Sequence, residues 1–169
     1  IDRPLTRAEF ATILYRLADQ YISAAAFTGH TGAGSVLSGD ADLSGVQMGT
    51  IWFDQSASNI RLTDVTAKQV TVRSDQLTSL AISGTGEISR LVLAARSGDI
   101  MLDLPDSCPV STVSVGDGSG TISFSGTTSA MEITGQHRTV NVNCSLDALV
   151  ISGSDCSVTV KKGCSIRNL

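Results

Sequence analysis

Aromatic residues are scarce in this chain, at 4% of 169 residues, and charged residues make up only 17%. A core must therefore be built mainly from Val, Ile, Leu and Ala, within a total apolar content of 41%. Low charge together with many Gly, Ser and Thr residues is typical of an all-β protein with tight turns. The length fits a single domain, and the regular apolar patterning excludes an intrinsically disordered chain.

The chain also lacks a basic surface and any long apolar run. Its net charge is −4, so there is no excess of cations to contact a phosphate backbone, and we predict no nucleic-acid partner. No apolar segment approaches the roughly 18 residues that are needed to span a bilayer, so we predict no membrane insertion. Because Ile1 falls inside a motif described below, we expect the chain to be a fragment of a longer protein.

Histidine and paired cysteines, the usual zinc ligands, are sparse as well. The two histidines, His30 and His137, lie far apart and in unrelated contexts. We therefore predict no metal site and no cofactor. The four cysteines form no C-x-x-C pair, and we interpret them as small buried or turn residues, with a disulfide among the last three as the alternative: Cys108, Cys144, Cys156 and Cys164.

Residues 4–21 carry the pattern of an amphipathic helix. Thr6 and Glu9 form a T-x-x-E capping box, and apolar residues then follow at helical spacing, namely Phe10, Ile13, Leu14 and Leu17. Arg7 would lie near the positive end of the helix dipole, which is mildly unfavourable. A nearby anion would explain its position.

The segment RPLTRAEFATILYRL, residues 3–17, resembles the second half of an S-layer homology (SLH) motif. In that family a P-x-T-R-A-E-F-A segment opens the second helix. The resemblance implies an extracellular bacterial protein that is anchored to cell-wall polysaccharide, with Thr6, Arg7 and Glu9 as the polysaccharide-binding residues. We expect residues 1–22 to act here as an α-helical cap on a domain formed by residues 23–169, and the parent protein to associate with the cell wall.

Glycine and other small residues dominate residues 23–49, which fit either a linker or a loosely regular first coil. Asp40 and Asp42 in this stretch suggest a calcium loop, but the oxygen-ligand spacing of known loops is absent. We interpret these two residues as solvated turn residues.

Short apolar-x-apolar triplets recur from Ile51 onward, mostly 9 or 10 residues apart. Because side chains alternate along a strand, the outer two residues of each triplet share one face. A short strand that repeats at a nearly fixed period indicates a solenoid, whose inward residues stack into one long core. The longest step between triplets contains Pro105 and Pro109, which predicts a bulged loop at 103–110.

Two or three triplets per coil both fit this spacing. By analogy with single-stranded β-helices, we predict three sides and a right-handed parallel β-helix, or β-solenoid. The phrases ISGTGEI (82–88) and SGDI (97–100) resemble repeats of bacterial adhesin-like β-helix domains.

Signs of catalysis are few. Glycoside cleavage needs two carboxylates close together, but the middle positions of the triplets offer one carboxylate, Glu132, and one arginine, Arg61, far apart in the sequence. Four aspartates near the predicted loop form a candidate cluster, which we interpret mainly as turn residues: Asp99, Asp103, Asp106 and Asp117. Trp52, the only tryptophan, is a candidate for stacking on a glycan, although the N-terminal segments are expected to cover it.

The sequence therefore predicts a non-catalytic, extracellular protein of the bacterial cell surface, a β-helix stalk or head for adhesion or structural display. One alternative is a carbohydrate-active enzyme, a polysaccharide lyase or hydrolase with its site in the 99–117 loops. The other is a surface-assembly protein that self-associates through unpaired strand edges at the end of the solenoid. The expected partners are cell-wall polysaccharide for the parent protein, a host or glycan ligand, and further copies of the chain.

Overall fold

A computed structural model describes residues 21–23, 26–28, 31–94 and 98–169. All regular elements in these ranges are β-strands, and none is a helix long and apolar enough to cross a membrane. The strands are β1 (Tyr21–Ser23), β2 (Ala26–Thr28), β3 (Thr31–Ser38), β4 (Ala41–Ser44), β5 (Gln47–Phe53), β6 (Asn59–Thr63), β7 (Thr66–Val72), β8 (Ser79–Ser83), β9 (Ile88–Leu93), β10 (Ile100–Leu104), β11 (Val110–Val115), β12 (Thr121–Gly126), β13 (Thr128–Ile133), β14 (Thr139–Val142), β15 (Leu146–Ile151), β16 (Ser157–Val160) and β17 (Ile166–Asn168).

Strands alternate between two sides of the molecule. The nine odd-numbered strands form one continuous sheet, here called the long sheet. The even-numbered strands form two four-stranded sheets, β2-β4-β6-β8 and β10-β12-β14-β16, which together make up the short side. Each turn of the chain thus contributes one strand to each side, and the prediction of three strands per coil is wrong.

Every strand pairs in parallel with its counterpart one turn away, as a solenoid requires. Leu91 pairs with Val113, Val113 with Met131, and Met131 with Leu149. One turn therefore takes 18 to 22 residues in this part of the chain. The predicted parallel β-solenoid is confirmed, whereas its right-handedness stays a prediction.

The long strands bend in the middle, which explains how two strands enclose a core. In β7, two consecutive residues, Lys68 and Gln69, are not buried, while Ala67 before them and Val70 after them are. The same interruption occurs in β9 at Ser89–Arg90, and it breaks the strict alternation of a straight strand. Each long strand therefore wraps around part of the core.

The core is the one that the triplets predict. The outer residues of every triplet from Ile51 to Val142 are buried, with at most 7% of their surface exposed. In the last described turns the apolar residues of the triplets are less buried, and Ile151 and Val160 are 44% and 38% exposed. Strand β17 pairs with β15 at Leu146 and Ala148 and stops short of Ile151.

The predictions for the N-terminal helix, the glycine-rich segment and the proline-containing loop have different outcomes. The N-terminal helix falls outside the described residues, except at its end, where Tyr21 begins β1. The glycine-rich segment 23–49 contains strands of the first coils and is not a linker. The loop predicted at 103–110 is confirmed with the shorter bounds 105–109, because β10 ends at Leu104 and β11 begins at Val110.

Candidate functional site

The four aspartates of the predicted loop cluster each bind the following turn of the solenoid. Asp99 and Asp117 accept hydrogen bonds from backbone N–H groups at 2.7 and 2.8 Å, and Asp103 accepts from a hydroxyl at 2.9 Å. Asp106 also accepts from a hydroxyl. In the order of the aspartates along the chain, the donors are Thr121, Ser125, Thr127 and Gln136.

Two of these aspartates lie at opposite corners of the solenoid, and Asp103 lies within β10. Asp99 lies just before β10 and Asp106 just after it. The five residues of β10 span about 16 Å at roughly 3.3 Å per residue. A retaining or inverting carboxylate pair needs a separation below about 10 Å, so these two corners cannot act together on one glycosidic bond.

A salt bridge crosses the outward face of the long sheet. The Arg90 guanidinium on β9 donates to the Glu132 carboxylate on β13, and β11 lies between these strands. On the intervening strand, Thr112 pairs with Arg90 and Ser114 pairs with Glu132, and Ser114 is only 4% exposed. The triplet pattern marks Glu132 but not Arg90, because Arg90 occupies the extra outward position that the strand bend creates.

Trp52 lies on β5 next to a cation. The guanidinium carbon of Arg73 is 5.0 Å from the centroid of the Trp52 ring, a typical cation–π geometry. One face of the partly buried ring is thus in contact with protein, and sugar stacking on Trp52 stays a prediction. The other predicted binding residues, Thr6, Arg7 and Glu9, lie outside the described residues.

A groove of about 530 Å³ with a mixed polar and apolar lining crosses β4, β6 and β8 on the short side. Arg61 lies in it with its Nη1 atom 3.7 Å from a carboxylate oxygen of Asp42, and both side chains are more than half exposed. The small side chain of Ala81 leaves space beside Arg61. The groove is lined by Asp40, Ala41, Asp42, Asn59, Ile60, Arg61, Ser79 and Ala81.

Asp40 is a fixed carboxylate at the edge of this groove. Its Oδ1 accepts the backbone N–H groups of Ser58 and Asn59, both at 2.7 Å, and its Oδ2 accepts the Asn59 side-chain amide at 3.0 Å. The side-chain hydrogen bond from Asn59, followed by the two backbone hydrogen bonds, lowers the pKa of Asp40.

Among the described residues no cluster of His, Cys, Asp or Glu side chains could hold a metal ion.

Arg138, which no pattern in the sequence marks, is the largest fully buried side chain among the described residues, at 1% exposure. Its guanidinium donates to the carbonyl oxygens of Gly116 at 2.8 Å, Asp117 at 2.9 Å and Ser119 at 3.3 Å. Burial lowers the pKa of Arg138, and the Asp117 carboxylate acts in the opposite direction. The visible signal was the loop GDGSG (116–120) one turn earlier, whose carbonyls need a donor.

The four cysteines are all free thiols in the structure. Cys108 and Cys144 are buried, and the other two are partly buried, as expected for small buried or turn residues, and the alternative of a disulfide among the last three cysteines stays a prediction. Burial raises the pKa of both Cys108 and Cys144. A buried thiol with a raised pKa reacts slowly with reagents from solution.

The comparisons with known proteins correct the family assignment. The family model that matches is described as Toastrack DUF4097, and it covers residues 33–162. No SLH model matches, so the resemblance to an SLH motif at residues 3–17 is wrong. A capping box followed by an apolar stripe begins many unrelated helices, which makes it a weak family marker.

No significant match exists among curated proteins or solved structures. The family match is nevertheless extensive, because it runs from β3 to just beyond β16 and spans well over half of the chain. The chain belongs to the Toastrack DUF4097 family.

Proposed function

We propose that this domain is a non-catalytic structural module that presents a rigid surface for display or adhesion on the outside of a bacterial cell. The observation that carries this proposal is the use of the loop carboxylates. Asp99, Asp103, Asp106 and Asp117 each bind the next turn. The family match, moreover, does not point to any particular catalytic activity.

The same use of carboxylates extends beyond the loops. Asp64 accepts the backbone N–H and the hydroxyl of Thr85 at 2.8 and 3.1 Å, and Asp147 accepts from Arg167 at 2.9 Å. Each of these bonds joins one turn to the next. Since a hydrogen bond contributes about 1 kcal/mol net, these carboxylate bonds together stabilise the stacking of the turns along the solenoid.

The enzyme alternative predicts different behaviour of the same residues. We would assay the chain and its Asp103→Asn, Asp106→Asn and Asp117→Ala variants on a panel of plant and bacterial polysaccharides, and measure urea unfolding in parallel. We expect no turnover by any protein, and for Asp117→Ala a loss of about 1 kcal/mol in the free energy of unfolding. Turnover by the native chain that either asparagine variant abolishes would establish the enzyme and reject the structural module.

A second candidate function is glycan binding in the groove over β4, β6 and β8. Its volume falls in the usual range for ligand sites, and it presents a carboxylate, an amide and a guanidinium group from Asp40, Asn59 and Arg61. These planar groups suit hydrogen bonding to sugar hydroxyls. The hydrogen bonds that fix Asp40 keep two of them in place before a ligand arrives.

Arg61 and Lys161 provide a matched test of glycan binding. Both are exposed cations, Arg61 on β6 and Lys161 directly after β16, but Lys161 is not among the residues that line the groove. We expect glycan-array binding to weaken at least tenfold in Arg61→Ala and to stay unchanged in Lys161→Ala. Equal binding by both variants would exclude the groove as the glycan site.

Self-association is a third proposal, supported by the exposure of Ile151 and Val160 in the last described turns. Apolar core residues that reach the surface beside strand edges favour pairing with another chain. A solution mass that increases with concentration, and that Val160→Lys returns to the monomer, would support it. A monomer mass at all concentrations would contradict it.

A further inference from the structure

Cys144 and Cys164 occupy equivalent places in consecutive turns. Each lies two residues before a member of the strand pair Leu146 and Ile166. The serines that follow them are joined, because the N–H of Ser165 donates to the Ser145 hydroxyl at 3.1 Å. We propose that Cys144 and Cys164 are the site of an intrachain disulfide that joins the turn of β15 to the turn of β16 and β17.

The spacing of the turns suits this bond. Paired strands lie about 4.8 Å apart, which is within the range of about 4.4–6.8 Å that disulfides span between Cα atoms. The N–H of Leu146 donates to the carbonyl of Ser165 at 2.9 Å, so the two chains are still in register next to the cysteines. Burial raises the pKa of Cys144, and the nearby Cys164 thiol raises it further, which agrees with close approach of the two groups.

The other two cysteines are badly placed for either partner. Cys156 is separated from Cys144 by the six residues of β15, which span about 20 Å, and from Cys164 by the four residues of β16, which span about 13 Å. Its Sγ donates to the Gly135 carbonyl at 3.1 Å. Cys108 lies before β11, and β13 separates β11 from β15 in the long sheet. Two strand spacings exceed the roughly 7 Å beyond which a disulfide needs backbone movement.

The oxidation itself needs an electron acceptor, for which a small disulfide such as oxidised glutathione suffices. The thiolate of Cys164, the more accessible of the two, attacks a sulfur of the small disulfide and releases one thiol. The Cys144 thiol then loses its proton, its sulfur attacks the mixed disulfide at Cys164, and a second small thiol leaves. Overall, two protein thiols give up two electrons and two protons, and one disulfide becomes two thiols.

The bond would strengthen the part of the solenoid that is least covered. Ile151 and Val160 are exposed there, and β17 contributes only three residues to the long sheet. A cross-link between positions 144 and 164 removes conformational freedom from the unfolded chain. Oxidation is therefore expected to stabilise this turn more than the centre of the domain.

The test is to equilibrate the protein in a glutathione redox buffer or in excess dithiothreitol, and then to count thiols after denaturation. We expect four thiols in the reduced protein and two in the oxidised protein, with a non-reduced peptide that contains both Cys144 and Cys164 in its mass spectrum. Cys108→Ser and Cys156→Ser should each still lose two thiols. Cys164→Ser should lose none, and only proteins that form the bond should unfold at a higher urea concentration when oxidised.

Four remaining thiols in the oxidised wild-type protein would overturn the proposal. So would a bond to Cys108 or Cys156, a disulfide between two chains, or a glutathione adduct that persists on Cys164. Because the peptide map is made on the wild-type protein, these outcomes stay informative even if a variant fails to fold.

Discussion

At the scale of single residues, Arg138 shows how the solenoid accommodates an irregular turn. It lies just before β14, where the adjacent turns place Gly120 before β12 and Cys156 before β16. Since Gly120 offers no side chain, the Arg138 stem fills the corner. Its guanidinium meanwhile satisfies carbonyls of the glycine-rich loop. A buried charge is tolerated only with such hydrogen bonding.

Replacing Arg138 with methionine keeps most of the side-chain length but removes the donors. We expect Arg138→Met to lower the free energy of unfolding by about 3 kcal/mol, because buried carbonyls lose charged partners. Arg61→Met is the control, and a change at this exposed site should stay within about 0.5 kcal/mol. Urea unfolding measures both. Equal stability of the two variants would show that water can replace the guanidinium.

Residue-level prediction from the sequence succeeded where a pattern existed. The burial of Val140 and Val142, for example, follows from strand alternation alone. Arg138 could not be found in that way, because an arginine beside a turn looks the same in sequence whether it is buried or solvated. Its burial depends on a loop one turn away, and the sequence does not show which loops stack.

At the scale of elements, the triplets identified the strands but not the number per turn. The two sides of the solenoid carry different patterns. In short strands such as β6, the buried residues follow the pattern apolar-x-apolar. In bent strands such as β7, the pattern is apolar-x-x-apolar-x-apolar, because Ala67 is buried in addition to Val70 and Val72. Because Ala67 is small and two polar residues follow it, the extra buried position escaped the triplet pattern. The alternation of the two patterns is the signal for two sides.

Stacked corners make an element-level prediction. A Cβ added to Gly135 would lie 2.0 Å from the backbone carbon of Gly116 in the turn below, whereas one added to Gly116 would be no closer than 3.5 Å to any neighbour. Neither glycine has a positive φ. We expect Gly135→Ala to destabilise the domain by about 1–3 kcal/mol through overpacking.

Gly116→Ala is the matched control and should be neutral or stabilising by up to about 1 kcal/mol, because it reduces the freedom of the unfolded chain. Thermal or urea unfolding measures the change in the free energy of unfolding for the two variants. Little or no destabilisation by Gly135→Ala would mean that the turns can separate at this corner, and equal destabilisation by both variants would mean that close approach of the turns is not the cause.

At the scale of the whole molecule, each turn contacts mainly its neighbours, so stability is expected to vary along the axis. Among the described strands, the central ones of the long sheet pair on both sides, while β17 pairs with β15 alone. The short side is interrupted where β8 and β10 lie side by side in separate sheets. The continuous long sheet is therefore the element that joins the two halves.

This arrangement predicts a gradient in amide hydrogen exchange. The amides of β16 and β17 should exchange faster than those of β11 and β13, because Val160 on β16 is exposed and each of these two strands pairs with only one described strand. Mass spectrometry of exchanged peptides measures this difference. Oxidation should slow exchange in β16 and β17 of the native chain but not in Cys164→Ser, and should leave β11 unchanged in both. Uniform exchange along the axis would instead mean that the solenoid unfolds as one cooperative unit, in which no turn opens separately.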